Sequence, residues 1–336
     1  MTKPFDWLLV GAGNIARIRV GAALRDAENS RLAAICDIDA ERARTLARQL
    51  GIEPAIYTDY PQALRESGAE GVYIATQANS HVPLGIQAVQ ANRHFLCEKP
   101  LGANLDDAET LYKVCRSASV KTACSDYRRL SEQYKSVERL VRDGAIGEFT
   151  GGWMNWVCGE GSVGNTPLNR AAGGSPLKTL AFYIFDIVHN LFGMPSEAMA
   201  RCCTKFNPAT DTEDVAGVLL SFPNGAVFSL NVFLTPFAHR EEMEFYGTRG
   251  RITLRNWPPS GNGPVIVRLA GEEEKEIPAF TNPNWHIPMI EDFIRAVREN
   301  RNPVCTVRSA FQTELITDAV FRSEKSGKSE TIPMEG

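Results

Sequence analysis

The sequence predicts an α/β protein: an N-terminal Rossmann domain with a doubly wound sheet, residues 1–124, and a C-terminal α/β domain with a large open, mostly antiparallel sheet, residues 125–336. A chain of 336 residues has room for about two domains. Short apolar runs alternate with segments of helical spacing as far as Cys124. After Ser125 the segments are longer and alternate apolar with polar residues, which is typical of antiparallel strands.

The N-terminal domain is predicted from its alternating strands and helices. The strands are predicted over 5–10, 31–36, 71–76, 94–97 and 120–124, and the helices over 14–25, 39–50, 81–91 and 105–117. Gly51 stands at the C-cap position of the second helix. This alternation implies right-handed crossovers and a mostly parallel sheet.

The C-terminal domain is predicted to begin with a charged helix, 131–142, and to end with two helices, 285–299 and 309–323. Between them we expect strands over 148–157, 214–222, 226–233, 240–246, 250–254 and 264–269. The Asn224-Gly225 pair is a strong hairpin signal. A broad sheet with one face unaccounted for predicts a homodimer or homotetramer that associates through this sheet.

Composition argues against several classes of partner. Thirty-six basic and 40 acidic side chains give a net charge of −4, so neither a nucleic acid nor a membrane surface is expected to bind. No run of 18 apolar residues and no signal peptide are visible, and we expect a cytoplasmic protein. The eight cysteines include no C-x-x-C pair, and the vicinal Cys202-Cys203 lacks a third ligand at metal spacing. No metal site is predicted.

The first helix opens with a dinucleotide-binding pattern, G-x-G-x-x-A. Gly11 permits a tight turn, Gly13 and the following Asn14 and Ile15 open the helix on which a pyrophosphate would lie, and Ala16 allows close helix–sheet packing. These residues predict a site for NAD or NADP.

The choice between the two cofactors depends on Asp37, which ends the second strand 24 residues after Gly13. A carboxylate there accepts hydrogen bonds from ribose hydroxyls and repels a 2′-phosphate, so it favours NAD. Arg42 and Arg44 lie close enough to leave NADP open. The alternative for Asp37 is a helix N-cap, a position for which Asp39 competes.

Two further strand ends carry polar side chains to the carboxyl edge of the predicted sheet, where ligands bind in such folds. Thr76, Asn79 and His81 follow one strand, and the alternative for His81 is a helix-start residue bonded to backbone. Glu98 and Lys99 follow another and precede a proline. An ammonium there can polarise a substrate oxygen, although alone the tripeptide is also an ordinary surface sequence.

At this point the sequence resembles the Gfo/Idh/MocA oxidoreductases, the relatives of glucose–fructose oxidoreductase and inositol dehydrogenase. The resemblance is carried by the G-x-G-x-x-A start together with 95–101 (FLCEKPL), 125–129 (SDYRR), 144–148 (GAIGE), 247–250 (GTRG) and 289–293 (MIEDF). It implies NAD(P)-linked oxidation or reduction, most often of sugars or polyols, with 125–336 as the substrate-binding and oligomerisation domain. It also implies cofactor contacts from Glu98 and Lys99, and a Lys99–Pro100 bond that is often cis.

The family's second signature is D-x-x-x-H on one helix, followed by an aspartate. The register places Thr179 at the usual Asp, Tyr183 at the usual His and Asp186 at the later aspartate. Tyrosine there resembles the branch with glucose–fructose oxidoreductase and dihydrodiol dehydrogenase, in which it is the proton donor or acceptor. The alternative for Tyr183 is a half-buried helix tyrosine, and Asp186 is either a substrate-hydroxyl acceptor or a cap. An Asp186/His189 metal pair lacks a third ligand.

Several other side chains are weaker candidates for substrate contacts. Arg128 could hold a hydroxyl, carboxylate or phosphate, or make a structural ion pair. Trp153 suits a pyranose ring, or belongs to the core; Asn155 and Arg170 lie on segments that lead to the glycine-rich stretch. His239 precedes a strand near which family substrates are held.

The sequence therefore predicts an NAD(P)-dependent oxidoreductase that moves a hydride between the nicotinamide and a carbohydrate carbon, with Lys99 and Tyr183 as catalytic residues. One alternative is a redox-neutral enzyme that retains its cofactor, either a sugar–sugar oxidoreductase or an NAD-assisted glycosidase. Another is a cofactor-binding regulator without activity, which Thr179 favours slightly and which Lys99 and Tyr183 oppose.

Overall fold

The computed structural model describes residues 3–158, 175–206, 210–235, 237–255, 263–280 and 282–334. The chain divides into two compact units. The first comprises Met1–Leu130 and Asn282–Phe311, and the second Ser131–Thr281 and Gln312–Gly336.

The first unit is built on a six-stranded parallel sheet. Its strands are β1 (Phe5–Val10), β2 (Ser30–Cys36), β3 (Ala55–Tyr57), β4 (Gly71–Ile74), β5 (His94–Cys97) and β6 (Thr122–Cys124). Its helices are α1 (Gly21–Asp26), α2 (Ala40–Leu50), α3 (Tyr60–Glu66), α4 (Ala78–Gln90) and α5 (Leu105–Arg116). The strand order β3-β2-β1-β4-β5-β6 is that of a Rossmann sheet, which confirms the predicted fold class.

Local sequence signals account for most of these elements. The Asp39 side chain caps α2, and Gly51 ends it with a φ of 66°. The first helix differs from the prediction, because Ala16–Val20 forms a π-helical turn before α1. The sequence pattern also did not predict β3 and α3. β3 gives no apolar signal, since it has three residues and none of them is buried.

The second unit is built on a nine-stranded mixed sheet that is mostly antiparallel, as predicted. Its helices are α6 (Glu132–Arg142), α7 (Pro176–Thr179) and α8 (Ala181–Phe192). Its strands are β7 (Phe149–Cys158), β8 (Glu197–Cys203), β9 (Val215–Ser221), β10 (Val227–Leu234), β11 (Arg240–Gly247), β12 (Gly250–Arg255), β13 (Val265–Leu269), β14 (Lys275–Ile277) and, at the C-terminus, β15 (Glu330–Thr331). The order is β14-β13-β12-β11-β7-β10-β9-β8-β15, with β7 and β10 parallel.

The two faces of this sheet differ. On one face Phe192 of α8 stacks on Phe149 and packs edge-on against Phe245, so α8 covers this side. The opposite face carries alternate residues of the same strands, as the strand period of two requires. The predicted hairpin joins β9 and β10, where Gly225 has a φ of 86°.

The chain closes with α9 (His286–Arg298) and α10 (Val307–Ser326). Although α9 follows the second sheet in sequence, it belongs to the first unit. Phe293 of α9 is fully buried and contacts the rings of Phe5 and Trp7 on β1, with ring centroids 6.4 and 5.4 Å away. The compact units therefore do not follow a single boundary at residue 124, because the apolar face of α9 completes the core under β1. That boundary as a division of function stays a prediction.

No helix among the described residues is both long and apolar enough to cross a membrane. The described residues also contain no group of three His, Cys, Asp or Glu side chains that could hold a metal ion. The eight cysteines are free thiols, of which six are buried, Cys202 is half-buried and Cys203 is exposed.

Candidate active site

The glycine turn after β1 has the geometry that a dinucleotide needs. Gly11 has a φ of 94°, and a Cβ atom there would lie 2.8 Å from the carbonyl oxygen of Ala75 and 3.0 Å from Thr76. At exposed Gly13 a Cβ would meet nothing within 4 Å. The ends of β1 and β4 thus touch at Gly11. The space above Gly13 is open beside the helix that begins at Asn14 and Ile15, where a pyrophosphate would lie. The residues present fit a dinucleotide cofactor.

Asp37 contacts this turn directly. One carboxylate oxygen accepts a hydrogen bond from the Ala12 amide at 2.7 Å, and the other accepts from the Asp39 amide at 2.9 Å. The N-cap role that was the alternative for Asp37 belongs to Asp39, which accepts from the amides of Glu41 and Arg42. The negative charge of Asp37 is therefore held beside the glycine turn.

The two arginines that left NADP open both have acidic neighbours. Arg42 lies 3.5 Å from Asp39, and Arg44 lies 3.7 Å from Glu41. These exposed ion pairs are weak, but they offset the positive charge that a 2′-phosphate would need.

The three polar residues predicted after β4 differ in exposure and in their contacts. Thr76 is half-buried and Asn79 is exposed in the first turn of α4. His81 is buried, with Nδ1 2.8 Å from the Pro100 carbonyl oxygen and Nε2 3.2 Å from that of Thr76. Burial lowers the pKa of His81, although the two backbone contacts oppose this. Both ring nitrogens of His81 thus face backbone carbonyl groups, as expected for a helix-start residue bonded to backbone. An effect of His81 on a cofactor would therefore act through the backbone at Pro100.

The carboxylate of Glu98 is buried within the first unit, and its contact with a cofactor stays a prediction. The side chain is 7% exposed and accepts a hydrogen bond from the Tyr73 hydroxyl at 2.7 Å. Nε2 of His286, in the first turn of α9, lies 3.3 Å from Glu98 Oε1. Burial by itself would raise the pKa of Glu98, but His286, Tyr73 and Lys99 together hold that pKa below its ordinary value. Glu98 is therefore a buried carboxylate that is held as an anion.

Lys99 follows at the carboxyl edge of the sheet, and its peptide bond to Pro100 is cis, as the family resemblance implied. Removal from water lowers the pKa of Lys99 to about 8, and the nearby Arg128 acts in the same direction. The carboxylates of Glu98 and Asp126 oppose both effects. A half-buried lysine with such a pKa is charged at neutral pH, yet it can exchange a proton near that pH.

In the second unit the predicted signature helix is interrupted. α7 ends at Thr179 and α8 begins at Ala181, so Thr179 and Tyr183 do not lie on one continuous helix. Within the short α7 turn, Thr179 donates a hydrogen bond from its hydroxyl to the Ser175 carbonyl at 2.7 Å. Tyr183 is buried on α8, with 5% of its surface exposed.

Asp186 has internal partners. It is buried on α8 and accepts a hydrogen bond from the Asn190 amide at 3.1 Å. His189 Nε2 lies 3.6 Å from the same carboxylate oxygen and 3.1 Å from the Thr313 hydroxyl of α10. Asp186 is not a helix cap, since it lies in the middle of α8. It joins α8 to α10 in a buried polar network.

The remaining candidates are spread over the molecule. Trp153 lies on the sheet face opposite α8, because strand alternation turns its neighbours Met154 and Trp156 toward the helices, and its Nε1 donates to the Tyr246 hydroxyl at 3.2 Å. Its predicted substrate contact stays a prediction. Asn155 lies on the same open face and is bonded to Asn231.

Arg128 and His239 occupy very different surroundings. Arg128 is buried in the 3₁₀ turn Tyr127–Leu130 of the first unit. His239 is exposed before β11, with Nε2 3.8 Å from Glu241. Arg170 lies outside the described residues.

Two side chains of this site, Tyr73 and His286, were not predicted from the sequence. Tyr73 is part of the predicted β4 run, but its hydroxyl meets Glu98 only because β4 and β5 pair in register. His286 stands at the start of a predicted helix, more than 180 residues after Glu98. A polar residue in the apolar face of α9 was the available signal, and its partner could not be read from sequence.

Two protein-family models match this chain. Residues 5–125 match the model of an oxidoreductase family with an NAD-binding Rossmann fold, and residues 134–253 match the GFO/IDH/MocA C-terminal domain. The protein is thus an oxidoreductase of the NAD-binding Rossmann class. The chain belongs to the Gfo/Idh/MocA family.

Individual relatives agree with this assignment. The chain is 30% identical to D-apiose dehydrogenase of Paraburkholderia graminis over 73% of this chain and 64% of that enzyme. It is 25% identical to 1,5-anhydro-D-fructose reductase of Ensifer adhaerens over 97% of this chain and 98% of that enzyme. The crystal structure of levoglucosan dehydrogenase with NADH superposes with a TM-score of 0.87 at 20% identity, covering 99% of this chain and all of that one. The last likeness shows the fold.

The position of Asp37 predicts its effect on cofactor choice. In Asp37→Ser we expect the ratio of NADP affinity to NAD affinity to rise at least about fivefold, since two like charges about 4 Å apart in water repel by roughly 1 kcal/mol. Titration of each cofactor by tryptophan fluorescence measures the ratio. Asp26→Ser is the control, because Asp26 is the exposed last residue of α1, where its carboxylate pairs with Arg25, and the ratio should stay unchanged. An unaltered ratio in Asp37→Ser would remove this residue from cofactor choice.

Proposed function

We propose that this protein is an NAD(P)-dependent oxidoreductase that transfers a hydride between the nicotinamide and a carbon of a carbohydrate, as sugar, polyol or keto-sugar. The observation that supports it most is Lys99, whose pKa is lowered to about 8 and which ends β5 at the sheet edge that also carries the glycine turn. NAD is the preferred cofactor, given Asp37.

Each catalytic role follows from the charge of the side chain. A dinucleotide held at Gly11, Gly13 and Asp37 would supply hydride chemistry at C4 of its nicotinamide. The ammonium of Lys99 polarises the substrate oxygen and stabilises the negative charge that develops there. Tyr183 is proposed to carry the hydroxyl proton, which requires that the positive charges of Lys99 and of an oxidised nicotinamide lower its pKa from about 10.

The carbohydrate is proposed from the relatives, which are named for D-apiose and 1,5-anhydro-D-fructose. Thr179, Asp186, Arg128, Arg170 and His239 stay proposals for contacts with it. The alternative of a regulator without activity is not favoured by the enzymatic activities for which these relatives are named. The lowered pKa of Lys99 also opposes it, because a protein that only binds its ligand does not need a lysine with a pKa near neutral pH. A redox-neutral enzyme would differ by keeping its cofactor through purification. The cytoplasmic location also stays a prediction.

Replacing the lysine tests the mechanism. In Lys99→Met we expect kcat to fall by at least about a hundredfold, the lower limit for loss of a positioned acid–base group. The affinity for NAD should stay within a few-fold. Turnover is followed by nicotinamide absorbance over a panel of aldoses, polyols and keto-sugars. A Lys99→Met variant with wild-type kcat would end this proposal.

The pH dependence of the reducing direction gives an independent check. Because the pKa of Lys99 is about 8, its ammonium is lost as pH rises through that value, and kcat/KM should fall with an apparent pKa of about 8. In Lys99→Arg the guanidinium stays charged, so any residual activity should lack this alkaline fall. Activity that stays level far above pH 8 in the wild type would contradict the assigned charge.

We also propose that the protein is a homodimer or homotetramer that associates through the sheet face opposite α8. Large apolar side chains stand exposed on that face, and a second copy would cover them. They are Met199, Leu219, Val227, Phe233 and Tyr246.

A charge placed on this open face should break the association. We expect the wild type to sediment as a dimer or larger and Leu219→Lys to shift toward monomer, since Leu219 lies on β9 within the face. Phe280→Lys is the control, because Phe280 is exposed in the segment after β14 and outside the sheet. Sedimentation velocity measures both variants. A monomeric wild type at every concentration would contradict the proposal.

A further inference from the structure

A buried polar cluster surrounds the residue that precedes Lys99 in the first unit. Its centre is the carboxylate of Glu98, which accepts a hydrogen bond from Tyr73 at 2.7 Å and lies 3.3 Å from Nε2 of His286. The Tyr73 hydroxyl also lies 3.5 Å from that of Ser125. His286 has no exposed surface. Among the described residues neither of its ring nitrogens makes a hydrogen bond of good geometry. The approach of Nε2 to Glu98 is therefore the polar contact that offsets the cost of burying the imidazole.

The surroundings hold His286 in this place. The ring of Tyr127 packs against the imidazole with centroids 4.6 Å apart. The Asn284 side chain accepts from the His286 amide at 3.2 Å and donates to the Arg19 carbonyl at 2.9 Å. The Arg19 guanidinium lies 4.1 Å from the ring centroid of Trp285. These contacts fix the first turn of α9 to the π-helical turn Ala16–Val20, which follows the glycine turn.

We propose that His286 is a positioning residue for Lys99, and that it acts by holding the adjacent Glu98 carboxylate ionised and in place. This role rests on the proposed function of Lys99. His286 makes no contact with reacting atoms in this scheme, because its Nε2 faces Glu98.

The direction of the effect follows from the charges around the lysine. Glu98, Asp126 and Cys124 raise the pKa of Lys99, whereas burial and Arg128 lower it. Burial is also the largest influence on Glu98 and favours its neutral form, and His286, Tyr73 and Lys99 oppose this. Without the polar contact from Nε2 of His286, Glu98 would be protonated over a wider pH range, and Lys99 would lose a neighbouring anion. The pKa of Lys99 should then fall further below 8.

The test measures the titration of Lys99 without substrate or cofactor. Competitive acetylation of the full-length protein from neutral to alkaline pH, read for each peptide by mass spectrometry, gives the fraction of reactive Lys99. The exposed Lys325 serves as an internal reference. The variants are His286→Phe, which keeps a ring for Tyr127, and His286→Gln, which keeps an N–H donor for Glu98.

We expect His286→Phe to lower the pKa of Lys99 by about one unit, the lower end of the range for a nearby charge. His286→Gln should restore most of the wild-type value. Glu98→Gln should produce the same fall, and adding His286→Phe to Glu98→Gln should change nothing more, because both act on one carboxylate. A wild-type titration in folded His286→Phe, or additive shifts in the double variant, would overturn the proposal.

A second variant covers the case in which His286→Phe fails to fold. Tyr73→Phe removes the other donor to Glu98, and it should lower the pKa of Lys99 in the same direction. An unchanged titration there would show that Glu98 does not control the lysine. Because no turnover is measured, a failure here leaves the effect of Lys99→Met on kcat as a separate result. If instead Lys99→Met is fully active, the titration still reports whether the cluster sets the charge of Lys99.

Discussion

The candidate site depends on one close approach, that between the ends of β1 and β4 at Gly11. A side chain at this position would collide with the backbone oxygen of Ala75, and the amide of Gly11 also bonds to the carbonyl of Cys36 on β2 at 2.8 Å. Three parallel strands are thereby drawn together at their carboxyl ends. β5 is the next neighbour of β4, so Lys99 reaches the same edge as the glycine turn. This arrangement needs only a parallel sheet with a glycine where the ends of β1 and β4 meet.

Each unit buries a carboxylate that depends on polar partners. Glu98 has Tyr73 and His286, which are distant in the chain, whereas Asp186 has Asn190 and His189 nearby in sequence. Removing a carboxylate from water costs several kcal/mol unless such partners are present. Unlike Asp186, Glu98 directly precedes a half-buried lysine in the chain. The same desolvation that makes the carboxylate dependent on its partners also lowers the pKa of that lysine.

The fold was predictable where the signal is local, and the site only in part. Asp39 and Gly51 end α2 as their cap chemistry requires, and the parallel order of the first sheet follows from the alternating pattern. The break at Leu180 was not predictable, because no glycine or proline marks it in the sequence. The face of Trp153 depends on the register between strands, and the partner of His286 depends on tertiary packing. Both are set by residues far away in the chain.

The return of α9 to the first unit has a consequence for dissecting the molecule. A fragment that stopped near Leu130 would retain every strand of the parallel sheet, yet it would leave Phe5 and Trp7 without the ring of Phe293. It would also lack the imidazole beside Glu98. The nucleotide-binding half is therefore contiguous in space but not in sequence, and it cannot be excised by a single cut. Its last structural contribution is synthesised only after the whole second sheet, apart from the short final strand of that sheet.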